Sequence, residues 1–379
     1  MSYLDYQVAQ VPTGLRKVFY ISWPLVLLIT AVCCIGFLML YSVAGGRMET
    51  WAEPQMYRFA AGMVLMLGLA FVPMWFWRGI SVAAYVVCFL MLVAVDMFGV
   101  IGMGARRWID IGPIRIQPSE LMKISLVLLL AAYYDWLPMN KVSRPVWVIL
   151  PVLLILAPTA LVLIQPDLGT SIMLIAGGGI VMFAAGVSLW YFGIVLGAAG
   201  GLVYAVMTSR GTDWQLLKDY QYRRIDTFLD PTSDPLGAGY NIIQSQIALG
   251  SGGWSGRGFM QGTQSRLNFL PEKHTDFIFT VLSEEFGFIG ASSLLVLYLL
   301  ILGFCVYSAL TNRDRFASLI TLGISGTFFL YFAINMATVM GLLPAKGSPL
   351  PLVSYGGTSL MILMLGFGLV QSAHVHRPR

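Results

Sequence analysis

Charged side chains are scarce in this sequence: 23 basic and 18 acidic residues make up 11 % of 379, against about 25 % in ordinary soluble domains. A soluble fold of this size needs a polar exterior. With 58 % hydrophobic residues and a mean hydropathy of +0.77, the chain cannot supply one. The same composition excludes disorder, collagen, a coiled coil and a small disulfide scaffold. Cysteine is rare too: Cys33, Cys34, Cys88 and Cys305 all sit inside apolar runs, so neither a disulfide framework nor a zinc-ligand spacing is present. Of the three histidines, only His274 falls in a long polar segment, which argues against an imidazole-built metal centre. Long apolar runs, by contrast, are plentiful, and they make this a polytopic membrane protein.

A membrane span needs about 20 mostly apolar residues. Ten stretches qualify: 19–43, 58–77, 80–99, 119–137, 146–164, 168–187, 189–208, about 280–310, 317–341 and 354–373. Runs this uniform are helices, because backbone in lipid must satisfy its own hydrogen bonds; the alternation of a membrane barrel is absent. The first run is too long for a cleavable signal peptide and further runs follow it. The expected fold is therefore all-α with about ten transmembrane helices, a single integral membrane domain over 1–379. Arg16, Lys17, Arg78, Lys141, Arg144, Arg313, Arg315, Arg377 and Arg379 crowd the short connections on one side, opposed by Asp5, Asp135 and Asp314. By the positive-inside rule that side is the cytoplasm and holds both termini. The formal charge of +5 then records membrane orientation and not nucleic-acid binding.

With this topology the polar segments 98–123, 165–170, 209–280 and 342–358 face outward, and the long loop 209–275 joins the seventh and eighth spans. In the first segment, Pro118-Ser119-Glu120 starts a helix, with Ser119 able to cap it, and Glu120 and Lys123 share a face. A cap and a local ion pair explain these residues as readily as a site, although ionisable groups at membrane depth are costly. Asp167, in Gln165-Pro166-Asp167-Leu168-Gly169-Thr170, is a helix cap or a site residue. Asp213–Asp230 carries Trp214, Leu217, Ile225 and Phe228 at partial helical spacing, which suits an interfacial helix. Gly250–Gly258 lacks the GK[ST] of a phosphate loop; it is either a flexible loop or backbone that approaches a ligand closely. Asp276, Glu284 and Glu285 fall on the outer part of one long eighth helix. There a desolvated carboxylate near Lys273 and His274 is suited to act as a general base, with helix capping by Asp276 as the alternative. Pro349–Ser359 makes a rigid turn into the last span, and Ser354 has no His–Asp partners for a hydrolase triad.

Taken together, GARRWIDIG with QPSELMK, then QPDLGT, LPEKHTDFIF with EEFG, and PLPLVSYGGTS resemble the shape, elongation, division and sporulation (SEDS) family, in family order and over essentially the whole chain. DPLGAGYNIIQSQIALGSGGW and GTQSRLNFLPEKHTDFIF look more like its elongation branch, RodA, than its division branch, FtsW. Asn335 and Pro344 match the C-terminal signature, whereas Ala345-Lys346-Gly347-Ser348 departs from a more aliphatic family pattern. The resemblance implies a peptidoglycan glycosyltransferase of the bacterial cytoplasmic (inner) membrane that polymerises lipid II on the outer face. It implies a class B penicillin-binding protein, the transpeptidase, and the elongation machinery as partners. Carried over, Asp276 resembles the catalytic aspartate, and Arg58, Glu120, Lys123 and Asp167 resemble the polar lining of the cavity.

The chemistry agrees with that. A sugar hydroxyl is a poor nucleophile and gains from a positioned base, while a departing polyprenyl pyrophosphate needs positive charge beside it. Asp276 is expected to be the base, and Arg58, Arg106, Lys123 and Arg223 to hold pyrophosphates, with Lys273, His274 and Ser354 as further substrate contacts. No cofactor is evident; a divalent cation, Mg or Mn, is compatible with a diphosphate substrate. The rival classes are a lipid II flippase and a non-catalytic scaffold for the transpeptidase. Flippases place charges near the midplane and repeat their halves, which this chain does not, and scaffolding alone calls for no carboxylates at membrane depth.

Overall fold

The structure, a computed structural model, describes residues 14–377 except 103–104, 112–113, 213, 235–237, 267–271 and 344–348; the Ala345–Ser348 departure and Pro344 lie outside the described residues. Helices α1 (Trp23–Val43), α2 (Ala52–Ala70), α3 (Met74–Phe98), α4 (Pro118–Trp136), α5 (Pro145–Ile164), α6 (Leu168–Ala184) and α7 (Leu189–Thr208) follow one another. After them come α8 (Asp219–Leu229), α9 (Ala238–Ser251), α10 (Thr263–Arg266), α11 (Ile278–Leu310), α12 (Arg315–Val339) and α13 (Gly357–Val375). All ten expected spans are helices, and seven of them are long and apolar enough to cross a membrane by length and composition. The protein is a polytopic helical membrane protein.

Two boundaries differ from the reading of the apolar runs. The junction of the second and third spans lies at Phe71–Pro73, not at 78–79, because Pro73 precedes and caps α3 and disfavours helix in the residue before it. Arg78 therefore sits in the helix. The segment 98–123 also carries three short antiparallel strands, β1 (Val100–Gly102), β2 (Ala105–Ile111) and β3 (Ile114–Ile116), in that spatial order. Ile109 of β2 and Ile116 of β3 pair across the strands, and β-branched residues suit a pleated surface.

The short connections meet at one end of the bundle. Arg78 pairs with Asp135 and Asp314 at 3.1 and 3.2 Å. Arg315 donates to the carbonyls of Leu137 and Ala185. Lys17, near the start of the described chain, lies 2.8 Å from His376 near its end. The polar outer segments gather at the other end. Between the two, α12 and α13 are largely enclosed in the core, with Phe328 and Phe367 fully buried and in edge contact.

α11 is broken at Gly287, whose φ of 63° and ψ of −159° are open to glycine alone at little cost. The glycine-rich segment after α9 enters this break: the N–H groups of Phe288 and Ile289 donate to the carbonyls of Gly253 and Trp254, and those of Arg257 and Gly258 donate to the carbonyls of Glu284 and Glu285. Gly252 and Gly256 serve close packing of this segment against the α11 backbone, where a Cβ would stand about 2 Å from the carbonyls of Ser283 and Glu285.

Candidate active site

At the outer end, α4 opens with Pro118 in its first turn, where the missing N–H is no loss. Gln117 takes the cap position with no side-chain cap bond; Ser119 lies one step inside the helix and does not cap it. Glu120 and Lys123 then face the same way and meet at 2.6 Å, with side chains only 10 % and 3 % exposed. A buried pair is tolerable only when its remaining lone pairs and protons are engaged. Tyr331 of α12 engages them: its hydroxyl donates to the second oxygen of Glu120 and accepts from Lys123.

Asp167 precedes α6 and serves both as cap and as cavity wall. It accepts from the N–H and hydroxyl of Thr170 at 3.0 and 2.9 Å and from Gln117 at 3.4 Å. Arg107 stands 3.8 Å from it and donates to the carbonyls of Gln165 and Pro166, which fastens β2 to the head of α6. Successive strand residues point to opposite faces, so Arg107 reaches the site while Arg106 is turned away and exposed.

Asp276 lies in a turn before α11, not on the helix itself. Glu272 starts that turn with φ of 53°, and its carbonyl accepts the N–H groups of Thr275 and Asp276 at 3.1 and 3.2 Å. Burial, and after it the negative charge of Glu272, push the Asp276 carboxyl up to about 6. A cavity of about 250 Å³ opens here. Glu120, Asp167, Glu272 and Asp276 line it together with Arg107, Trp108, Tyr331, Tyr355 and the first turn of α13.

The other expected residues take different places. Lys123 lies beneath Glu120 and Tyr331 and lines a small apolar pocket below the cavity. Arg58 stands behind the lining, its guanidinium 4.6 Å from the Tyr355 ring. Ser354 is buried and its hydroxyl engaged within the chain: it accepts from Leu350 N–H and donates to the Thr275 carbonyl. The His274 ring stacks on Trp51 at 4.1 Å. Burial, opposed by the charge of Glu272 and reinforced by that of Lys273, lowers His274 from the ordinary imidazole value, which favours the neutral ring. Lys273 does not line the cavity, and burial lowers it as well. Arg223 is exposed on α8 and is also no part of the lining. That helix is anchored to α7 through Tyr222, whose hydroxyl donates to the Val206 carbonyl. Glu284 and Glu285 bind the loop and α1, through Thr263 and Ser42. Among the described residues no three His, Cys, Asp or Glu side chains converge on a metal site; Glu120 and Asp167 already have their oxygens engaged.

Tyr331, Arg107, Glu272 and Tyr355 belong to the cavity but were not singled out from the sequence. Tyr331 is hidden in an apolar run, and only its spacing of four from Asn335 hints that both face one way.

Comparison with known proteins places this geometry. The family profile described as "Cell cycle protein", covering FtsW, RodA and SpoVE, matches residues 22–379. Peptidoglycan glycosyltransferase MrdB of Escherichia coli K12 is 42 % identical over 355 residues, 93 % of each chain. Stage V sporulation protein E of Bacillus subtilis is 33 % identical, covering 91 % of this chain and 94 % of its own. The fold resembles RodA of Thermus thermophilus with a TM-score of 0.71 at 29 % identity, over 95 % of this chain and 98 % of that one. It also resembles a chain of a peptidoglycan synthase complex that coordinates polymerization and crosslinking, with a TM-score of 0.80 at 32 % identity, over 93 % and 97 % of the two chains. The chain belongs to the FtsW/RodA/SpoVE family, the SEDS family that its motifs resemble.

Proposed function

We propose that the protein is a peptidoglycan glycosyltransferase that polymerises lipid II into β-1,4-linked glycan strands at the outer face of the bacterial cytoplasmic membrane during cell elongation. It works beside a class B penicillin-binding protein, which crosslinks the strands. One observation carries the catalytic part: a partly buried carboxylate, Asp276, is held near pH 6 at the wall of a polar cavity. That cavity lies at the bundle end away from the arginine-rich connections.

A carboxylate of that basicity is ionised at neutral pH and is a better proton acceptor than an exposed aspartate. In the reaction, the oxygen of the acceptor GlcNAc 4-hydroxyl attacks the donor's anomeric carbon from the face opposite the diphosphate. The new C–O bond forms with inversion, the proton passes to Asp276, and the bond to the diphosphate breaks, the electron pair leaving with it. Positive potential for that leaving group comes from Arg107 and from the N-terminal turn of α13, which has no side-chain cap and is backed by Arg58. The satisfied Glu120–Lys123–Tyr331 cluster makes a rigid polar floor. Every step is carried by the chain's own residues.

The protein reconstituted in proteoliposomes with its transpeptidase partner and lipid II tests the reading. Long glycan strands on a gel are expected. Translocation of lipid II without any strand formation would instead identify a flippase.

A further inference from the structure

The turn that carries Asp276 belongs to no helix or strand, yet three successive carbonyls in it are taken by donors from elsewhere. The His274 carbonyl accepts the N–H of Tyr355 at 2.9 Å. The Thr275 carbonyl accepts the Ser354 hydroxyl, and the Asp276 carbonyl accepts the side-chain amide of Asn335 at 2.9 Å. Behind this row, Gln55 of α2 is 1 % exposed and donates to the Ser354 carbonyl at 3.1 Å, bracing the strand of chain that supplies two of the donors. Two of the donor groups thus come from the approach to α13, and only Asn335 comes from a helix.

Asn335 stands four residues after Tyr331 on α12, both are buried, and residues so spaced share a helix face. Tyr331 grips Glu120 and Lys123 while Asn335 grips the backbone of Asp276. One rigid face of α12 therefore sets the two polar walls of the cavity at a fixed separation.

We propose that Asn335 is a positioning residue for glycosyl transfer, holding the backbone of Asp276 in register with the Glu120–Lys123–Tyr331 cluster through its amide N–H. This rests on the reading of Asp276 as the base. A misplacement of about 1 Å in such a constellation costs on the order of 100-fold in rate.

The test is steady-state lipid II polymerisation by the full-length protein with its partner, for wild type, Asn335→Ala, Asn335→Gln and Ser354→Ala. Removing the amide in Asn335→Ala is expected to lower kcat by roughly 100-fold with KM for lipid II unchanged, and Asn335→Gln, which keeps the donor, is expected to recover part of that loss. A turn freed from its clamp also admits water to Asp276, so the acid limb of the rate profile moves to lower pH in Asn335→Ala and Ser354→Ala. Lining the same cavity are the charged groups Glu272, Glu120, Asp167 and Arg107, all unchanged in these variants. Wild-type kcat in Asn335→Ala, or a loss with an unmoved acid limb in both variants, overturns the proposal. Should Asn335→Ala fail to fold, Ser354→Ala and Asn335→Gln carry the same readout. An active Asp276→Ala would show that the base assignment itself has failed; an inactive Asp276→Ala beside a fully active Asn335→Ala would defeat positioning alone.

Discussion

Two effects act in the same direction on Asp276: burial disfavours its charge, and the carboxylate of Glu272 adds repulsion across the turn. Both raise the folded-state value, so the proton stays on to a higher pH than on an exposed aspartate. Only the ionised form accepts a proton from the acceptor sugar. The polymerisation rate is therefore expected to be full above pH 7 and to fall about tenfold per pH unit below a limb near 6, a value close to that of the side chain itself. Replacing Glu272 by Gln removes the like charge, and the limb is expected to move to lower pH; a rate profile that stays flat down to pH 5 would contradict this. Asp167, Glu120 and Lys123 were legible as candidates because ionisable groups beside apolar runs are costly. Arg58, Ser354 and His274 were legible as belonging to the region, but not the neighbours each one meets. Whether a hydroxyl meets a ligand or a neighbouring carbonyl depends on which segment lies across from it, and Ser354 meets Thr275 79 residues away.

At the scale of elements, α11 and the glycine-rich segment before it are one construction. A Cβ on Gly287 would stand 2.7 Å from the backbone of Trp254, closer than atoms approach, and its φ is left-handed. Gly287→Ala is expected to destabilise the protein by more than about 1 kcal/mol from the left-handed backbone alone, seen as a lower unfolding temperature in detergent. Gly303→Ala, in the same helix where a Cβ meets nothing within 4 Å, is expected to be neutral or to stabilise by up to about 1 kcal/mol. Equal effects from the two would refute the account of the break. The helices themselves were readable as apolar runs, since lipid leaves the backbone no other choice. The break at Gly287 was not, because it is made by a segment about thirty residues upstream in sequence. The strands β1–β3 were missed because segments of 3 and 7 residues carry too few alternations to stand out beside spans of twenty.

For the whole molecule, the sparse charges are sorted by end. Arg78, Asp135 and Asp314 bind the short connections to each other at one end, and the cavity with its four carboxylates opens among the polar segments at the other. That sorting was visible in the sequence as soon as spans were drawn, because connection length and arginine placement need no tertiary information. The gathering of α4, α6, the turn before α11 and the start of α13 around one cavity was not, since it depends on how helices far apart in sequence pack. Lipid II, the proposed substrate, presents a lipid tail to the bilayer and a sugar diphosphate to the outer end. Asp276 as the base is tested most directly by lipid II polymerisation by the reconstituted protein and its partner, comparing wild type with Asp276→Ala. Glycan strands from the wild type and none from a variant that is folded and still bound to its partner are predicted; strands formed by Asp276→Ala at the wild-type rate would contradict it.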